Sequence, residues 1–105
     1  MTTIIVLFKL KNDVAKEEYE NWAKSTDLPI VRNLQSVDSF SVFRGTGMLG
    51  SDEKPSFDYI EMISLNDEAT FYEEIGSELM QGVAEQFQSF ADNPQFILTQ
   101  ALQGK

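Results

Sequence analysis

A chain of 105 residues, 42% apolar and carrying eight Phe, has the size of one domain that buries roughly two thirds of its unfolded surface. Seventeen acidic against eight basic residues leave a formal charge of −9, a field that repels phosphate backbones and anionic headgroups and argues against nucleic-acid and membrane partners. With no Cys and no His, disulfides, thiolate nucleophiles, the usual general base and the commonest transition-metal ligand are excluded; lone carboxylates without calcium-loop spacing predict no metal and no cofactor.

No repeat or linker-like tract interrupts the chain, so residues 1–105 are expected to form a single domain. The N-terminus MTTIIVLFKLKND has a short apolar run without a basic region before it, which predicts a strand instead of a signal peptide and a cytoplasmic protein. Residues 3–10 are apolar at both parities, as in a strand buried on two faces. Asn12 or Asp13 is the expected cap of a helix whose Ala15, Tyr19 and Trp22 follow an i, i+4, i+7 stripe. Ser25-Thr26-Asp27 and Pro29 then predict a stop and restart, with Asp27 capping a second short helix and Ile30, Val31 and Leu34 facing inward.

Residues 37–44, VDSFSVFR, read as a strand, and Gly45, Gly47, Gly50 and Pro55 punctuate the loop that leads to a second strand over 57–65, so that the two form a hairpin. Asn66 is the expected cap of the next helix, which breaks at Gly76-Ser77 and resumes with Leu79, Val83, Phe87 and Phe90. Asp92-Asn93-Pro94 ends it, and residues 95–102 make the last strand. The order β-α-β-β-α-β predicts an α+β, ferredoxin-like subunit: a four-stranded antiparallel sheet with both helices on one face. The other face stays apolar, through residues such as Ile60 and Met62, and a second copy of the chain is expected to cover it.

Tyr19 and Trp22, the run T-D-L-P-x-V over 26–31, S-V-x-S-F over 36–40, and Arg44-Gly45 together resemble the RedY-like (HapK) proteins of prodiginine biosynthesis, within the dimeric α/β-barrel superfamily. That resemblance implies two sheets packed face to face in a homodimer, a dimeric α/β barrel, and a ligand cavity between helices and sheet. It implies a role near the bipyrrole branch of the red tripyrrole pigments. Two functions are compatible with it: an accessory or binding protein that holds a flat pyrrole-type intermediate or stabilises pathway enzymes, and a cofactor-independent monooxygenase, cyclase or isomerase using carboxylates. The missing His argues against relatives that use a cavity His or bind haem through one.

Six residues are candidates for a site. Tyr19 and Trp22 either pack the core or form a stacking wall for a pyrrole ring. Asp27 either caps a helix or stands at a cavity mouth as a proton acceptor. Glu61 interrupts an apolar strand at the parity of Tyr59 and Ile63, which makes it either a buried carboxylate needing a partner or a rim residue. Arg44 is expected to pair with Glu61 or Asp58, or to anchor a ligand oxygen, and Tyr59 to help orient the ligand. The glycine-rich loop has no Lys-Ser/Thr end and is not a phosphate cradle.

Overall fold

A computed structural model describes residues 1–102. The elements run β1 (Thr2–Leu10), α1 (Lys16–Trp22), a π-helical turn (Ala23–Asp27), α2 (Leu28–Arg32), β2 (Val37–Arg44), β3 (Tyr59–Leu65), α3 (Glu68–Glu74), α4 (Glu78–Phe90) and β4 (Ala91–Gln100). All pairings are antiparallel, and the strand order is β2-β3-β1-β4. This is the α+β, ferredoxin-like arrangement that the order of strands and helices requires.

Register decides which side chains share a face, because alternate residues of a strand point to opposite sides. Val6 lies opposite Glu61 and Phe96, and Ile4 opposite Ile63 and Leu98, while β2 sets Val42 beside Glu61 and Phe40 beside Ile63. This set faces the helices. Its inner members join Tyr19, Ala23, Val31, Phe71, Met80 and Phe87 in one core. Phe8 is the aromatic hub: it stacks on Tyr59 at 5.6 Å between ring centroids and meets Tyr19 and Phe87 edge-on at 5.4 and 4.9 Å.

The opposite face sets Leu7, Ile60 and Phe43 in one row and Ile97, Ile5 and Met62 in the next. Phe43, Ile60, Met62 and Ile97 are 37–50% exposed, so both parities of the strands are apolar, as their sequences require.

Several helix boundaries differ from the sequence reading. The first helix has Ala15 at its N-cap with no side-chain cap, so neither Asn12 nor Asp13 serves, and Ala15 is exposed instead of continuing the Tyr19 stripe. The chain does not stop at Asp27, whose backbone is helical and whose side chain caps nothing. Instead, the Leu28 N–H bonds to the Ala23 carbonyl five residues back. The widened turn takes in one extra residue just before Pro29, which has no N–H to give, and the proline is accommodated without ending the helix.

Asp67, not Asn66, caps α3, accepting from the Ala69 and Thr70 N–H groups. Asn66 donates to the Gln35 carbonyl and to Asp38. The break at Gly76-Ser77 is present, with Ser77 capping α4. The last strand begins at Ala91, earlier than residue 95. Asp92-Asn93-Pro94 belongs to it as a bulge, with Asn93 at φ 52° and a register shift opposite Leu7–Lys9.

Candidate functional site

Trp22 of α1 packs on Phe90 of α4 at 5.3 Å, and its indole N–H donates to Gln86 at 2.6 Å. The helix layer is tied together there. Toward the other end of α4, the layer stands off the sheet and leaves a cavity of about 390 Å3, within the range of small-molecule sites. Its floor is Ile4, Phe40, Glu61, Ile63, Phe96 and Leu98 of the sheet. Asp27 and Val31 form one wall, Phe71 and Ile75 a second, and Met80, Val83 and Phe87 a third. Four phenylalanines therefore supply flat surface, and Tyr72, Gln81 and Gln88 add polar groups.

Two carboxyls stand in this apolar lining. Glu61 is 4% and Asp27 5% exposed. Burial pushes Asp27 up to about 7. Glu61 is pushed up to about 8, first by burial and then by the charge of Asp27, while the hydrogen bond from Tyr19 works in the opposite sense. That bond runs from the Tyr19 hydroxyl to Glu61 Oε2 at 3.3 Å. Burial, more than the neighbouring carboxylates, holds the phenol of Tyr19 far above its ordinary value, so that it keeps the proton it donates to Glu61. The two groups are coupled: once Asp27 has ionised, its charge holds the proton on Glu61. Such a pair can exchange protons with a bound molecule near neutral pH.

The remaining candidates lie elsewhere. Tyr19, Arg44 and Tyr59 line a second, smaller cleft of about 160 Å3 between α1 and the ends of β2 and β3, together with Glu20, Lys24 and Val42. Arg44 pairs with neither Glu61 nor Asp58. Its Nε and Nη2 reach the two oxygens of Glu20 at 2.7 and 2.6 Å, and the Tyr59 hydroxyl donates to the same carboxylate at 2.6 Å. Arg44 points to the helix face at the strand end, where α1 passes over it, whereas Asp58 accepts from the Leu10 N–H. Trp22 lines neither cavity, because its ring is taken up between the helices. The flat walls of the larger cavity come instead from Phe40, Phe71, Phe87 and Phe96.

Glu20 of α1 and Glu74 of α3 each hold a specific contact. Glu74 of α3 accepts from the Gln35 and Ser36 N–H groups at 2.8 and 3.1 Å and from the Ser36 hydroxyl. Nothing local marks either residue, since their partners lie 24 to 39 positions away. Glu61 did carry a local signal, its parity with Tyr59 and Ile63.

By structure, the chain is similar to HapK from Hahella chejuensis, at 24% identity over 100% of this chain and 96% of that one, with a TM-score of 0.80. It is similar to SnoaB from Streptomyces nogalater, a cofactor-independent oxygenase, at 14% identity over 97% and 93% of the two chains with a TM-score of 0.75. A dimeric ferredoxin-like protein of unknown function from Thermobifida fusca aligns at 12% identity over 95% and 90%, with a TM-score of 0.73. No curated protein matches the sequence. The description of the REDY-like protein HapK family matches residues 2–102. With that match spanning nearly its whole length, the chain belongs to the REDY-like HapK family.

Proposed function

We propose that this chain is a small-molecule-binding protein of prodiginine-type pigment biosynthesis that holds a flat pyrrole-type intermediate in the larger cavity. The observation that carries the reading is the cavity itself: about 390 Å3, lined by four phenylalanines and by two buried carboxyls. Ring faces suit a planar heteroaromatic, and the carboxyls suit its N–H groups. Membership of the REDY-like HapK family supports the pathway setting. The chain works as a homodimer closed through the free sheet face, a reading supported by the apolar rows on that face and by the dimeric neighbour. Its place of action is the cytoplasm; among the described residues no helix is long and apolar enough to cross a membrane.

Titration with pyrrole and bipyrrole aldehydes, followed by a crystal structure of the complex, tests this. The expected result is saturable binding with the ring against Phe71 and Phe87; binding by none of these molecules, and a producing cell whose pigment survives loss of the chain, would overturn it. If pigment is lost without the chain although none of these molecules binds, the chain acts by stabilising pathway enzymes.

A second reading is favoured by the raised values of Asp27 and Glu61: cofactor-independent catalysis on the same molecule, with one carboxyl giving and the other taking a proton. Asp27→Asn and Glu61→Gln decide between the two. Pigment unchanged in both variants, at unchanged protein level, would remove carboxylate catalysis and leave binding.

A further inference from the structure

We propose that the occupant of the larger cavity is a flat aromatic carrying one positive charge, a protonated amidine, imine or heteroaromatic base whose N–H groups meet Asp27 and Glu61. This deepens the reading of the cavity as a small-molecule site and rests on it.

The first ground is that the acceptors facing the cavity are unused. Asp27 is 5% exposed, lines the cavity, and its carboxyl has no hydrogen-bond partner among the described residues. Glu61 accepts a single bond from Tyr19, at 3.3 Å. Among the described residues no fully buried side-chain oxygen lacks a partner, so the unbonded oxygens of both carboxyls are open to the cavity, and a site that leaves such acceptors open toward one apolar space suits a molecule that brings the donors.

The second ground is the placement of the cations. Among the described residues none of the lining groups is Lys or Arg. Arg44 is engaged with Glu20, Arg32 donates to the Phe40 carbonyl at 2.9 Å, and Lys24 lies at the second cleft. From the elements packed around the pair, the titratable groups are Tyr19 of α1, Tyr59 of β3, whose hydroxyl donates to Glu20, and, at the cavity, Tyr72 of α3; α4, β1, β2 and β4 present only uncharged lining residues. Once the pair ionises, a carboxylate or phosphate ligand would meet negative charge with no counter-charge inside a chain of formal charge −9, whereas a cation would find acceptors and aromatic faces.

Burial raises Asp27 to about 7 and Glu61 to about 8, so below neutrality the pair keeps both protons, and near neutral pH only Glu61 keeps most of its own. A cation therefore displaces a proton on entering. By linkage its affinity rises about tenfold per pH unit until the first carboxyl of the pair has ionised, then levels.

Three isosteric probes test this by calorimetry with the full chain at about pH 6 and about pH 9: biphenyl-4-carboxamidine, which stays protonated throughout, biphenyl-4-carboxamide and biphenyl-4-carboxylate. Above the titration the amidine should bind at least about tenfold more tightly than the carboxamide, the difference of a charge-assisted hydrogen bond, and that preference should shrink as the pH falls. In the Asp27→Asn/Glu61→Gln variant the preference should vanish while carboxamide binding persists, which also shows the cavity intact. If that variant does not fold, Asp27→Asn alone should lose most of the preference.

Carboxamide or carboxylate binding as tightly as the amidine, or an amidine preference that survives removal of the carboxyls, would overturn the charge assignment and leave the flat-ligand reading standing. Binding by none of the three would overturn both.

Discussion

At the scale of single residues, Asp27 and Glu61 set an expected pH dependence. Both are raised in the fold, to about 7 and about 8, so the folded chain keeps protons that the unfolded chain loses once the pH passes the ordinary carboxyl range. The native state then binds more protons than the unfolded one, and stability falls as pH rises from roughly 4 to 8. Thermal melts of the wild type should show a midpoint that declines over this range. Glu61→Gln should flatten the decline and gain on the order of 1 kcal/mol per pKa unit relieved once the pH exceeds the titration of Glu61; a variant melting curve with the same slope as wild type would contradict this. Trp22 belongs to the same scale. Because its indole bridges α1 to Gln86 and Phe90, Trp22→Phe should cost about 1 kcal/mol of stability in a denaturant titration and leave ligand affinity in the larger cavity unchanged.

Between elements, two glutamates act as clamps. Glu20 ties α1 to the ends of β2 and β3 through Arg44 and Tyr59, and the hydrogen bonds from these two hold its carboxyl down to about 2. The sign is opposite to that of the buried pair: the contribution is present above the ordinary carboxyl range and lost as the pH falls from about 4 toward 2. Glu20→Gln should therefore lower the melting midpoint near neutral pH and leave it unchanged at the acid end. Glu74 ties α3 to the turn before β2. Ser36 is completely buried, so Glu74→Ala leaves its N–H and hydroxyl without their acceptor and should cost about 1–3 kcal/mol, measured by chemical denaturation; a cost near zero would show that water replaces the carboxylate. The π-helical turn is the third device at this scale. It carries the chain past Pro29 without a break and leaves Asp27 on the inner side, where a stop and restart would have spent that carboxylate on a backbone cap.

For the whole molecule, the sheet divides the chain into a covered and an uncovered half. The rows Leu7–Ile60–Phe43 and Ile97–Ile5–Met62 form a contiguous apolar surface opposite the helices, of a kind that a soluble monomer rarely leaves in water. Sedimentation should give a species near twice 11.9 kDa. Met62→Lys, which sets a charge in the middle of that face, should shift the species to the monomer; a wild-type monomer at micromolar concentration would contradict the dimer.

The order of elements, both apolar faces of the strands and the shared parity of Glu61 with Tyr59 and Ile63 were determined by the sequence alone, because period-two and period-3.6 patterns are local and the apolar sets can be buried in few ways; that this parity faces inward and buries Glu61 was decided by the structure. Only the tertiary structure decided what Asp27, Glu20, Glu74 and Trp22 do. Asp27-Leu28-Pro29 signals an interruption, but whether the chain breaks or widens by one residue depends on the packing of the flanking helices. The partners of Glu20 and Glu74 lie 24 to 39 residues away, and an acidic residue on an amphipathic helix looks the same whether it meets water or a distant Arg or Ser. The cavity is a space between layers, so it exists only once α4, the π-helical turn and the sheet have been brought together.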